Sequence, residues 1–465
     1  MWRGEPETVT IFERKILEEW DDAHVWHPFT PHSVYRSESP LMVMAAEGHE
    51  LIDVDGRRYL DGVGSLWCNI LGHRREEIDE AVRQQLALVA HATFLGNASV
   101  PGVVLAKRLA DLAPEPLNRV FYSDSGSTAV EVAIKIALQF WSQHKGGLES
   151  KRTRFLSFGE AYHGDTVGAV SVGGMDLFHA RFGPMLFQAE RCLSPYAWCA
   201  ESKGDNALWL ELASRDLESK LAECGDQVAA IILEPGMQGA AGMLTQPPGY
   251  VKRVRELADR AGTLLILDEV AMGMGRSGKM FASEAEGVSP DLLCLAKGLT
   301  GGYLPLAATL ATEEIFEAFL GPPEAGRTFF HGHTYTGNAL GCAAALATLD
   351  IFERESLVDG LPGRIEALRL RLERIRDLPH VADVRQYGLS AGIQLVKDTS
   401  TGEAFDPAER RGMSVCLAAR DKGVFLRPLG DVIVLMPPLT LSDLELDQLV
   451  DSIAYGIVTA LVDTP

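Results

Sequence analysis

The sequence is short of positive charge. It carries 43 Lys and Arg against 64 Asp and Glu, for a net charge of −21. Phosphate backbones and anionic lipid surfaces are held by basic patches, so no nucleic-acid and no membrane partner is expected. No apolar run is long enough to span a bilayer. No apolar signal segment follows the acidic residues 1–7, and a cytoplasmic location is the expectation. Cysteines are few, odd in number and scattered: Cys68, Cys192, Cys199, Cys224, Cys294, Cys342 and Cys416. Most sit in apolar surroundings, so they read as reduced core residues and not as a disulfide framework. Internal repeats and low-complexity tracts are absent. What remains is an ordinary globular composition, 46% hydrophobic and 23% charged, in a chain of 465 residues, long enough for two or three domains.

Residues 1–25 read as a helical arm, because Ile11, Phe12, Ile16, Leu17 and Trp20 recur at helical spacing. An aromatic, Pro-broken loop follows at 24–30. Residues 51–61 alternate around Asp55-Gly56 and predict a hairpin. Helices are expected over 75–90 and 101–113. Short apolar runs then alternate with helices: strands over 119–122, 155–158, 228–233, 263–267, 291–296 and 306–310, with helices over 126–144 and 249–261. That alternation predicts an α/β domain with a mainly parallel sheet. A long helix over 337–356 leaves it. Strands at 392–396 and 432–436 belong to a smaller α+β domain, against which the N-terminal hairpin packs.

Four places carry candidate chemistry. The run 292–296 ends in Lys297, followed by a glycine-rich turn to Gly302. Desolvation at such a place lowers a lysine's pKa, as a nucleophilic or Schiff-base lysine requires; the plain alternative is a lysine turned out to solvent. The run 264–267 ends in Asp268-Glu269, at the carboxyl edge where open parallel sheets bind ligands. Ser125-Gly126-Ser127-Thr128 opens a helix and offers an anion cradle; equally, it is an ordinary N-cap with Glu131 completing a capping box. Tyr162, beyond the 155–158 strand, is placed to stack on a flat ligand. Gly273 to Gly278 matches G-x-G-x-x-G, but it lies behind the acids and opens no helix, so a nicotinamide site is discounted. His24/His27, His331/His333 and Cys192/Cys199 lack further ligands of suitable spacing, and no metal is expected. A cradle, an aromatic, a carboxylate for a ring nitrogen and a lysine are together what a pyridoxal phosphate site needs.

With these motifs the chain resembles the class III, fold-type I pyridoxal-phosphate aminotransferases. Within them it is similar to the subgroup that makes 7,8-diaminononanoate in biotin biosynthesis. The resemblance runs from Trp26-His27-Pro28-Phe29-Thr30 to Arg427-Pro428-Leu429-Gly430. It includes Tyr162-His163-Gly164-Asp165-Thr166, Leu267-Asp268-Glu269-Val270 and Ala296-Lys297-Gly298-Leu299-Thr300. It implies a large α/β domain over 76–345 with a mainly parallel seven-stranded sheet. A smaller α+β domain would come from both chain ends, 1–75 (with the arm) and 346–465. It implies pyridoxal 5′-phosphate on Lys297, Asp268 at the pyridine nitrogen, Gly126 and Ser127 at the phosphate, and Tyr162 beside the ring. Lys297 and Asp268, with Tyr162, would be the catalytic set. His333 and Thr334 would reach the phosphate of a neighbouring subunit, giving a homodimer with shared active sites. Phe29, Leu66, Trp67, Tyr162, Lys297, Gly332 and Arg427 would meet the substrates. The implied small-molecule substrates are 8-amino-7-oxononanoate and an amino donor.

Members that use S-adenosylmethionine as donor often carry Tyr where this chain has Phe29, Trp at Leu66, Tyr at Val434 and Pro at His333. The first three departures remove hydroxyls or an aromatic wall from the expected substrate pocket and resemble the subgroup that takes lysine as donor. The alternative activity is that of another class III ω-aminotransferase, acting on a diamine or an ω-amino acid.

Overall fold

In the computed structural model, residues 13–196 and 205–462 are described. The expected arm is a helix at Arg14–His24, whereas Ile11, Phe12 and Cys199 lie outside the described residues. The centre is one seven-stranded sheet. Its strands, in chain order, are β1 (Leu117–Ser123), β2 (Arg154–Phe158), β3 (Glu190–Cys192), β4 (Val228–Leu233), β5 (Leu264–Asp268), β6 (Leu292–Leu295) and β7 (Ala307–Thr312). In space they run β1-β7-β6-β5-β4-β2-β3. Only β7 is antiparallel to its neighbours. The sequence expected six of these strands; the three-residue edge strand β3 was not among them.

Why these segments are strands follows from burial on both faces. Every residue of β4, β5, β6 and β7 is buried. A sheet covered by helices on both sides needs uninterrupted apolar strands, and these are such runs. On one face lies the helix Gly126–Gln143, which buries nine side chains, among them Val130, Ile134 and Phe140. Its start differs from expectation in one detail. The capping box pairs Ser125 with Thr128, not with Glu131. Glu131 sits too far into the helix to reach back, and its carboxylate instead accepts from the backbone N–H groups of Gly168 and Ala169.

The helix expected at 337–356 is Ala339–Arg354, N-capped by Asn338. Beyond it the helix Leu357–Arg376 leads to a four-stranded antiparallel sheet built from Val381–Tyr387, Ser390–Leu395, Pro428–Leu429 and Val432–Leu435. The expected hairpin forms from Glu50–Asp53 and Arg58–Asp61, with a further strand at Val43–Glu47. Strand Arg58–Asp61 pairs in parallel with Val424–Phe425, which knits the N-terminal segment to the C-terminal one.

Candidate active site

Parallel strands bring their carboxyl ends to one edge of the sheet, and the polar residues at those ends meet there. β5 ends in Asp268, β6 runs on to Lys297, β4 runs on to Glu234, β2 leads to Tyr162 and His163, and β1 leads to Gly126. Antiparallel β7 begins at the same edge, where Ala307 stands opposite Ser123.

Lys297 follows β6 with φ at 45°, a left-handed conformation seldom held by a residue with a side chain. Burial pushes its ammonium down from the usual lysine value. Asp268, Glu234 and Cys68 pull it back by charge, but burial wins. Its Nζ lies 4.9 Å from the centre of the Trp67 ring.

Asp268 is 5% exposed. Its Oδ2 is 2.7 Å from Nδ1 of His163, and its Oδ1 accepts from the backbone N–H of Val270 at 3.1 Å. Burial works against a charge on His163, yet the hydrogen bond and the charge of Asp268, helped by Glu234, raise its pKa above the ordinary histidine value. Glu234, 6% exposed, is pushed up to about 7, chiefly by burial and by the nearby charge of Asp268. Its two oxygens accept from the backbone N–H groups of Tyr162 (3.0 Å) and Gly239 (3.2 Å), so it fixes the loop that carries Tyr162.

The Tyr162 loop docks directly on the helix start. Gly164 has φ at 116°, and a Cβ there would fall 2.4 Å from Cβ of Ser127. Only glycine permits that approach. Ser127 Oγ is 2.8 Å from the Thr166 hydroxyl and accepts from the Thr166 N–H at 3.0 Å. At Gly126 a Cβ would meet Val270 at 2.5 Å, so the first turn lies flush against the segment that follows Asp268. Here the N–H groups left without intrahelical acceptors, a buried carboxylate and a depressed lysine share one sheet edge.

A family model, aminotransferase class III, matches residues 33–457. The chain belongs to the class III aminotransferases. It is 52% identical over 443 residues to the adenosylmethionine-8-amino-7-oxononanoate aminotransferase of Nitratidesulfovibrio vulgaris, covering 95% of this chain and 81% of that one. The crystal structure of the enzyme of the same name from Methanocaldococcus jannaschii superposes with a TM-score of 0.91 at 42% identity, covering 96% of this chain and all of that one (100%). An (S)-enantioselective omega-transaminase from Thermomicrobium roseum superposes with a TM-score of 0.92 at 36% identity, covering 97% and 99% of the two chains. Class III aminotransferases work with pyridoxal phosphate. The residues at this edge fit that group. A lysine with a lowered pKa and a buried, histidine-backed carboxylate suit its carbonyl and ring nitrogen. A glycine-lined helix start suits its phosphate.

Of the remaining sequence candidates in this class III aminotransferase, Tyr162 is half-buried. Its hydroxyl donates to Asp165 at 2.8 Å, and its ring lies edge-on to Phe178 and parallel to His179. Phe29 is exposed and packs edge-on against Phe178 at 5.3 Å, while its carbonyl accepts from Arg427 at 3.5 Å. Trp67 is buried against Lys297, and Leu66 beside it is exposed. Val434 is buried in the core, at 1% exposure. His333 pairs with Asp124 of its own chain at 2.7 Å, and Gly332 and Thr334 are exposed on the same loop. Among the described residues no cluster of His, Cys, Asp and Glu is arranged to hold a metal. The G-x-G-x-x-G stretch forms turns, with Arg276 wholly buried and donating to the carbonyls of Leu389 and Pro437. The sequence reading gave no role to His163 or Glu234. Glu234 carried a signal, since it ends an apolar strand as Asp268 does.

Proposed function

We propose that the chain transfers an amino group to 8-amino-7-oxononanoate, giving 7,8-diaminononanoate, a step of biotin biosynthesis. The observation that carries this is the pairing of the Lys297 and Asp268 edge with near-full-length similarity to relatives named for that acceptor. The relatives' name makes S-adenosylmethionine the donor. Phe29 and Leu66, both exposed beside the site, present no hydroxyl or indole, which favours lysine as a second donor.

Gly126 and Ser127 would hold the cofactor's phosphate, Tyr162 would border its ring, and Asp268 would face its ring nitrogen. When bound, pyridoxal phosphate would supply a carbonyl to carry the amino group between substrates and a ring to serve as electron sink. Lys297, whose ammonium burial pushes below the usual lysine value, would take a proton and return it at Nζ. Asp268 is held in that place by His163 and the Val270 N–H. Arg427, which pairs with no carboxylate among the described residues, binds that of the keto acid, releasing the Phe29 carbonyl as it does so. Gly332 completes the substrate wall.

The active unit in this proposal is a homodimer, with His333 and Thr334 reaching the partner's phosphate site. Large apolar side chains crowd the surface beside that loop: Leu88, Leu95, Val100, Phe330 and Tyr335 are all more than half exposed. A monomer rarely leaves such a patch bare.

The test is absorbance and borohydride fixation. Purified protein should show a visible band, and reduction should attach the cofactor to Lys297 alone. Half-reactions with S-adenosylmethionine, lysine and 8-amino-7-oxononanoate then identify the donor. Lys297→Ala should bind cofactor without turnover. A protein that stays colourless with added pyridoxal phosphate would refute the assignment. A protein that transaminates simple diamines but not the keto acid would transfer it to the ω-aminotransferase reading.

A further inference from the structure

Strand Arg58–Asp61 ends in a carboxylate with 0% exposure. Four donors converge on it. Asp61 Oδ2 accepts from the Ser65 N–H at 2.7 Å and the Ser65 hydroxyl at 3.2 Å, and lies 3.1 Å from His73 Nε2. Its Oδ1 accepts from the Val63 N–H at 3.3 Å. The other ring nitrogen of His73 is 2.8 Å from the Asn69 amide, so the histidine is itself held in place.

The segment gripped in this way is strained. Gly64 has φ at 52°, Ser65 stands at φ 61° and ψ −83°, and Trp67 at φ 67°. Two residues with side chains in such conformations within three positions persist only where the surroundings over-determine them. The strain has one visible product. It turns Leu66 outward, to 61% exposure, and drives Trp67 inward, where its ring lies 4.9 Å from Lys297 Nζ. Gly239 also lies close against the ring, where a Cβ would come within 3.2 Å of it. Asp61 therefore fixes a side chain it does not touch, through two backbone N–H groups and a hydroxyl.

We propose that Asp61, supported by His73, is a positioning residue of the transamination site. It holds the 63–67 turn so that Trp67 packs against the reacting lysine and Leu66 faces the entering substrate. This rests on the reading of Lys297 as the cofactor-bearing lysine. The alternative is an ordinary buried turn cap, whose loss would cost stability and nothing else.

The experiment uses the holoenzyme and four variants: Asp61→Asn, Ser65→Gly, His73→Leu and His73→Gln. Ser65→Gly is the decisive one, because glycine removes the strain and the hydroxyl contact without weakening the fold. Its melting temperature should match or exceed wild type. Its kcat should nonetheless fall about tenfold, as expected when a wall of the site loses its setting. KM for the keto acid should change much less. Circular dichroism in the cofactor's visible band, which reports how the ring is seated, should weaken at full cofactor loading. Asp61→Asn and His73→Leu should do the same, and His73→Gln, which keeps an N–H donor for Asp61, should recover most of the loss. If Asp61→Asn does not fold, the other three carry the test. Wild-type kcat and dichroism in both Ser65→Gly and His73→Leu would overturn the proposal. Wild-type holoenzyme without borohydride attachment at Lys297 would instead overturn the reading on which it rests.

Discussion

Replacing His163 with phenylalanine isolates what the buried histidine does for Asp268. Phenylalanine fills the ring's volume but donates nothing. Asp268 Oδ2 then loses its 2.7 Å partner, and among the described residues the carboxylate keeps only the Val270 N–H on its other oxygen. A hydrogen bond to a charged group is worth about 1.5–3 kcal/mol, more when its loss strands a buried charge. If that loss falls on the cofactor-bound state, the Kd for pyridoxal phosphate rises by roughly 10- to 150-fold. The assay is titration of the apoenzyme with pyridoxal phosphate, followed by the visible band, with kcat measured at saturation. His163→Gln, whose amide can donate to Asp268, should recover part of the affinity. A His163→Phe variant with wild-type affinity and wild-type kcat would show that the pair is only packing.

The same pair sets a pH dependence. The pKa of His163 is raised by folding, so its stabilising contribution is complete below the unfolded histidine value of about 6.5 and is lost as pH rises through the folded value. Chemical denaturation of wild type and His163→Phe across pH 5.5–9 should show the gap between them closing towards high pH (about the range the linkage spans). Glu269 shifts stability in the same direction: 1% exposed, its carboxyl is pushed up to about 7 by burial. It carries no penalty below about 4.5, and a cost of about 3 kcal/mol accumulates as pH rises to about 7. Glu269→Gln should be less stable than wild type in acid, because one of the N–H groups of Ala282 and Ser283 loses its acceptor, and this deficit should shrink by neutral pH. Gly164→Ala should cost about 2 kcal/mol or more and weaken cofactor binding, since its Cβ would collide with Ser127; calorimetry and cofactor titration check both. Arg427→Ala should raise KM for the keto acid well above any effect on the donor half-reaction; equal effects on both would remove the arginine from its assigned place.

Lys297 and Asp268 were legible in the sequence for one reason. Each is an ionisable residue placed at the end of an uninterrupted apolar run, where burial on both faces leaves it no ordinary role. The six longer strands were legible on the same ground, within a residue or two at their ends. β3 was not, because three residues at a sheet edge carry no periodicity. Nor was the insertion of antiparallel β7 between β1 and β6, since strand order is a tertiary choice. Glu131 stands three residues after Thr128 and so fits a capping box in sequence, but the helix starts earlier, with Ser125 as its cap and Thr128 as the capping partner. Phe29 and Arg427 meet across almost 400 positions, a distance about which local pattern says nothing; only the whole-chain resemblance joined them. His163 stood inside a quoted motif, but its bond to Asp268 depends on how the β2 and β5 loops turn.

The pairing of β5 with β6 sets Asp268 opposite Cys294. Strands that are apolar on both faces specify their alignment weakly, because a slip by one residue exchanges one greasy side chain for another. Such a slip would turn the aspartate to the opposite face of the sheet, away from Lys297 and His163, at almost no cost in burial. The safeguard lies at the far end of the strands. Asp291 accepts from the Leu265 N–H at 2.7 Å and from Arg255 at 2.8 Å, while its own N–H donates to the Leu265 carbonyl at 3.0 Å. This clamp is bidentate and tolerates one offset only. The aim of the Asp268 carboxylate is thus calibrated about 10 Å away, three residues back along the strand, by a residue outside the candidate site.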